Sequence, residues 1–180
     1  RLLATQLHAD MENIRQARLL ERSQLAAMTD ALTGLLNRHG WDKAVEAEEA
    51  RARRYGHPAC VMFIDLDRFK QINDEFGHAH GDAVLQRAAS VIRNAVRGSD
   101  LVARIGGDEF VVLGVECDVA GAEALYQNML AELKGQGIAA STGLAMRDPR
   151  TGLNAAIAAA DRMMYAAKVR QHATNKPAPA

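Results

Sequence analysis

Two apolar runs, Leu101 to Ile105 and Phe110 to Val115, are separated only by Gly106-Gly107-Asp108-Glu109. A link this short and glycine-bearing between two strand-like runs reads as a hairpin, which fixes its strands as antiparallel neighbours. A doubly wound, all-parallel sheet is thereby excluded. A further apolar run, Ala59 to Leu66, has the length and bulk of a central strand and ends in Asp65-Leu66-Asp67. Helical patterns run from about Trp41 to Arg54, Asp67 to Phe76, Asp82 to Val96, Val119 to Lys134 and Leu153 to Arg170. Another strand is expected from Ile138 to Met146. Gly77 to Gly81 reads as a glycine-bounded loop and Arg97-Gly98-Ser99-Asp100 as a turn. This order, with a hairpin at its centre, predicts an α+β fold.

Three segments are expected. Residues 1–29 lack Gly and Pro. Leu7, Met11, Ile14, Leu25 and Met28 follow a 4-3 spacing that Arg18 and Glu21 interrupt. A helical stalk pairing two chains fits this pattern, as does an amphipathic helix lying on its own domain. Residues 30–172 form the globular domain, and 173–180, with two prolines, form a disordered tail. Because the chain opens on Arg1, it is expected to be a fragment of a longer protein.

Of the 180 residues, 48% are hydrophobic, enough to bury one core. Lys and Arg total 22, as do Asp and Glu, so net charge is zero and a broad electrostatic grip on nucleic acid or membrane is not expected. The two cysteines, Cys60 and Cys117, have no metal-ligand spacing and fit a reducing, cytoplasmic setting. No apolar stretch reaches the roughly 18 residues a membrane span needs. An anchor elsewhere in a longer protein remains compatible with this.

If the hairpin lies beside the Ala59–Leu66 strand, Asp65, Asp108 and Glu109 converge. Hard oxygen ligands with open positions suit Mg²⁺ beside phosphates. Solvated carboxylates at strand ends are commonplace, but Gly106-Gly107 would let backbone approach a ligand closely or adopt positive φ. An EF-hand reading of the Asp65 stretch fails, because Phe69 and Lys70 stand where an oxygen ligand and a glycine belong. Helical spacing puts Phe69, Ile72 and Phe76 on one side, with Lys70 and Asn73 on another. There is no Walker A sequence, so a nucleotide would need another kind of site.

These residues resemble a known family, the GGDEF-domain diguanylate cyclases. The likeness covers Asp30-Ala-Leu-Thr-Gly-Leu-Leu-Asn-Arg38, Phe63 through Asp74, Gly77-His78, Gly81-Asp82 and Arg104-Ile-Gly-Gly-Asp-Glu-Phe110. It continues through Ala160-Asp161, Tyr165 and Ala167-Lys168. It implies a nucleotidyl-cyclase or palm-like fold, a central, mostly antiparallel sheet of about five strands with helices on both faces, and condensation of two GTP into cyclic di-GMP across a homodimer. Asp65, the Leu66 carbonyl, Asp108 and Glu109 would hold two Mg²⁺, with Mn²⁺ as a substitute, and Asp108 and Glu109 would be the catalytic acids. Lys70 and Lys168 would meet phosphates, Asn73 and Asp82 would read guanine, His78 would line the pocket, and Gly106 and Gly107 would leave room for nucleotide. Arg97 and Asp100 match the family's Arg-x-x-Asp product-inhibition site.

The resemblance also implies an alternative, a catalytically silent domain that senses GTP or receives cyclic di-GMP. Two departures stand out. Gln171 and His172 replace the family's Gly-Arg pair, so an imidazole stands where a phosphate-binding cation is usual. The segment between hairpin and last strand is short.

Overall fold

The computed structural model describes residues 11, 12, 14–16 and 26–174, with backbone alone from 172 to 174. In chain order the elements are α1 (Arg38–Tyr55), β1 (Ala59–Leu66), α2 (Phe69–Phe76), α3 (His78–Ala95), β2 (Leu101–Arg104), β3 (Glu109–Val115), α4 (Val119–Gly135), β4 (Ala140–Met146) and α5 (Gly152–Thr174). The strands form one open sheet in the order β2-β3-β1-β4, and every neighbouring pair is antiparallel. The α+β expectation holds, with four described strands in place of about five. Near the sheet edge, Leu36 makes only isolated bridges, to Thr29 and to Ala103.

β1 is buried along its whole length because helices cover both faces of the sheet. Alternate side chains therefore serve two cores. Met62 and Ile64 pack with Val84, Leu85, Ala88 and Ile92 of α3 and Met129 and Leu133 of α4. Val61 and Phe63 pack on the other face with Trp41 and Val45 of α1 and Leu153, Ala156, Ala160 and Met164 of α5. An uninterrupted apolar run is what a strand buried on both faces needs. Cys60 is fully buried, in a small cluster with Cys117 and Ala122, as its apolar context indicated.

Local chemistry sets the boundaries. Asn37 caps α1 by accepting from the Gly40 amide, and Asp118 caps α4 by accepting from Gly121. The expected loop from Gly77 to Gly81 is instead a one-residue break followed by the first turn of α3. Gly77 takes φ 84°, and its carbonyl accepts from the amides of His80 and Gly81. Phe76 also departs from expectation. Phe69 and Ile72 pack against the core, but Phe76 lies a turn beyond its edge, 58% exposed, with its ring 5.1 Å from that of His80. The last strand begins at Ala140 rather than Ile138, whose amide is taken by the Leu133 carbonyl.

α5 lies directly on β4. A Cβ at Gly143 would collide with the Ala160 carbonyl and the Met164 amide, so the helix can sit this close only over a glycine. The helix also runs past its expected end at Arg170, through Thr174. Most of the proposed stalk and the tail beyond Thr174 lie outside the described residues, as does the His172 side chain. Among the described residues no helix is long and apolar enough to cross a membrane.

Candidate functional site

The antiparallel register of β1 and β3 places Asp65 directly opposite Glu109, and the Leu66 amide donates to the Asp108 carbonyl at 3.1 Å. Two acids 44 positions apart in the sequence are thus cross-strand neighbours at one end of the sheet. The Glu109 carboxylate folds back over Gly106, where any Cβ would strike Oε2. Neither Gly106 nor Gly107 takes a positive φ. At the first glycine a Cβ would meet the movable end of the Glu109 side chain, and the second glycine is exposed with open space around it.

Lys168 of α5 completes this group. Its ammonium lies 2.8 Å from each Asp65 oxygen and donates to Oδ2. Asp65 is buried, and its Oδ1 accepts no hydrogen bond among the described residues. Burial, and after it the charge of Asp65, push the Asp108 carboxyl above the usual carboxylate range. Glu109 is pushed the same way by burial, then by Asp65, Asp108 and Asp161. For Lys168, burial works against the charge, but the hydrogen bond and attraction of Asp65, joined by Asp108 and Asp67, outweigh it and raise its pKa.

Among the described residues, no three His, Cys, Asp or Glu side chains converge closely enough to hold an ion unaided. The donor set still fits a hard divalent cation. The buried Asp65 Oδ1 meets the Lys168 ammonium as an ion pair without a directed hydrogen bond, Glu109 faces it across the strands, and a cation of this class completes its shell with phosphate oxygens and water.

Next to this cluster, α2 starts three residues beyond Leu66. Arg68, at its N-cap, takes the left-handed conformation (φ 58°), an uncommon state for a non-glycine residue. Asp67 is held by the Ser141 hydroxyl at 2.7 Å. Lys70 stands exposed on α2. Gly81 is buried where a Cβ would strike the Asn73 amide, so α2 and α3 cross closely enough to set Asn73 beside the turn carrying the exposed His78 and Asp82.

Arg97 and Asp100 are not part of this group. Asp100 Oδ1 accepts from Val115 at the far end of β3 from Glu109, and six residues of strand span about 20 Å. Asp100 is buried, and its Oδ2 accepts from the Arg97 amide, so it staples the turn whatever else it does. Arg97 is exposed and, with Asp100, Cys117, Leu125 and Asn128, lines a cavity of about 270 Å³.

Sequence reasoning left Arg104 without a role. Its guanidinium donates twice to the Gly107 carbonyl (3.1 and 2.8 Å) and reaches both oxygens of Asp30 at 3.2 Å. Thr33 donates to the same carboxylate through both its amide and its hydroxyl. The domain entrance is thereby tied to the hairpin loop. Arg38, donating to the Ile105 carbonyl at 3.1 Å, is a second tie. Both arginines lie inside the motif blocks, but no spacing rule pairs residues 74 positions apart.

The sequence pattern of the family described as "Diguanylate cyclase, GGDEF domain" matches residues 27–174. Diguanylate cyclase TpbB of Pseudomonas aeruginosa is 41% identical over 168 residues, covering 85% of this chain and 38% of that protein. Diguanylate cyclase DgcS of Shewanella oneidensis is 34% identical, covering 82% and 52%. The chain therefore spans about half or less of these relatives. Among solved structures, the coiled coil and GGDEF domain of DgcB from Caulobacter crescentus, in complex with c-di-GMP, superposes with a TM-score of 0.82. Its identity is 28%, with 93% of this chain and 95% of that one covered. Fold and sequence pattern agree: the chain belongs to the GGDEF-domain diguanylate cyclase family.

Proposed function

We propose that this chain condenses two GTP molecules into one cyclic di-GMP with release of two pyrophosphates. The observation that carries the reading is the pairing of Asp65 with Glu109 beside Asp108, at the sheet end where α2 begins. Each 3′-oxygen attacks the α-phosphorus of the other nucleotide, a P–O bond forms, and the bond to pyrophosphate breaks. Since both attacks need two nucleotides face to face, the active species is a homodimer with one GTP per domain.

Enzymes of this family are generally metal-dependent. Asp65, the Leu66 carbonyl, Asp108 and Glu109 would hold two Mg²⁺. Bound there, the cations supply charge neutralisation for the triphosphate and acidify the attacking hydroxyl. Asp108 and Glu109, whose carboxyls are raised by burial and by neighbouring acids, would be the acids that receive the 3′-hydroxyl proton. The Asp82 carboxylate accepts from the adjacent N1–H and N2–H donors of guanine, a pair that adenine lacks, with Asn73 beside it and His78 lining the pocket. Lys70 binds the terminal phosphates. The Arg97 guanidinium offers a planar fork to a phosphate or guanine edge of the product at the distant cavity, where Asp100 fixes the turn.

Incubation with GTP and Mg²⁺ should yield cyclic di-GMP by chromatography, with none from ATP and none in excess EDTA. Tight binding of GTP or cyclic di-GMP without turnover would instead identify a silent receptor.

A further inference from the structure

The Lys168 ammonium occupies the place where charge on Asp65 is to be neutralised. It lies 2.8 Å from both carboxylate oxygens. The Asp65 side chain is only 4% exposed and that of Lys168 33% exposed, so this pair is poorly screened by water. The placement is built into the packing. Lys168 lies one helical turn beyond Met164, whose backbone rests on Gly143 of β4. Gly143 itself pairs with Phe63 of β1, two residues before Asp65. α5 therefore has little freedom to carry the lysine away.

Resting on the reading of this site as a metal–nucleotide site, we infer that Lys168 is the resident counter-cation of Asp65, excluding a bare divalent cation until a nucleoside triphosphate arrives. A lone cation must displace the ammonium from a buried carboxylate and strip it of that partner. A polyphosphate arriving together with the cation offers the ammonium new oxygen acceptors in exchange for the Asp65 carboxylate. Metal and nucleotide affinities are coupled through one side chain, and the coupling is reciprocal. Lys168 is here a positioning and gating residue. Its contact with phosphates belongs to the nucleotide-bound state, and its contact with Asp65 to the ligand-free chain.

The test is direct binding of Mn²⁺ to the intact chain, read from the electron paramagnetic resonance of the free ion, with and without a non-hydrolysable GTP analogue. The ammonium's positive charge repels any cation that approaches the Asp65 carboxylate, and burial leaves that repulsion poorly screened. Lys168→Met is accordingly expected to bind Mn²⁺ at least ~10-fold tighter than the parent chain when no nucleotide is present. Lys168→Gln should behave alike, guarding against a folding defect in one variant. The gain should vanish when Asp65→Asn is added, and the factor by which the GTP analogue tightens Mn²⁺ binding should shrink in the single variants. Unchanged or weaker nucleotide-free binding in both single variants, with the parent chain binding Mn²⁺ normally beside the analogue, overturns the gating role and leaves the metal–nucleotide reading intact. No Mn²⁺ bound by any of the proteins, with or without the analogue, overturns that reading and the gating role together.

Discussion

Gly143→Ala should separate helix placement from the chemistry it serves. In β4 this residue faces α5, where an added Cβ would meet the Ala160 carbonyl, the Met164 amide and, at 2.9 Å, the Met163 Cβ. Two of these are backbone atoms that no rotamer change can move aside. Comfortable contacts to carbon lie at about 3.5–4 Å, and the two backbone atoms are closer than the Met163 Cβ, so the helix must retreat by more than about 1 Å. Overfilling of this kind typically destabilises by about 1–3 kcal/mol. For a domain of this size that is a fall in melting temperature of very roughly 2–12 °C, at 2–4 °C per kcal/mol. The retreat also draws Lys168 away from the place where it would meet phosphate, so GTP turnover should fall even at temperatures where the variant is fully folded. Gly135→Ala is the control. Gly135 ends α4 with open space around its Cβ position and no positive φ, so alanine there should stabilise by about 0.5–1 kcal/mol. Thermal unfolding and turnover of both variants decide the matter. A Gly143→Ala protein as stable and active as its parent would refute the claim that α5 is seated on this glycine.

Four further outcomes are expected. Asp65→Asn and Glu109→Gln each remove charge while keeping shape, and cyclic di-GMP formation should fall at least ~100-fold in either, measured as initial rate. Asp108 has a folded-state pKa raised above its ordinary 3.8, so its contribution to stability is present below that pH and lost as pH rises. Asp108→Asn should therefore melt higher than the parent at pH 7, with the advantage gone near pH 3; equal melting at pH 7 would contradict the sign. Glu49 accepts two bonds from Arg147, whose side chain is 3% exposed, and also caps the Leu153 amide. Glu49→Ala strands that buried guanidinium and should cost about 3–5 kcal/mol in urea denaturation. Arg97→Ala should leave initial turnover intact but weaken cyclic di-GMP binding by calorimetry, and equal affinity would remove the product-inhibition role.

The sheet was legible because its signals are local. An apolar run without alternation marks a strand covered on both faces, and a four-residue glycine-bearing link leaves few alternatives to a hairpin. The Asp65–Glu109 pairing followed once the hairpin was laid beside β1, since the antiparallel register does the rest. What escaped depends on contacts between distant positions. Nothing about Gly81 says that it is a contact point for Asn73 rather than the end of a loop, because both uses select glycine. Phe76 has the helical spacing of a core residue, and only the finite extent of the core leaves it exposed. Lys168 reads as a phosphate ligand from its motif, whereas its ammonium is seated on Asp65, brought to it by packing of α5 on Gly143. The Asp30–Arg104–Gly107 tie joins two motif blocks that sequence reasoning treated separately.

The most direct test of the central claim is to quantify cyclic di-GMP and pyrophosphate together, from GTP and Mg²⁺, over a range of chain concentrations. The account predicts two pyrophosphates per cyclic di-GMP and a turnover per chain that rises with chain concentration as two GTP-loaded domains meet. Release of GDP and inorganic phosphate, or no cyclic di-GMP at any concentration from a chain that binds GTP, would contradict it.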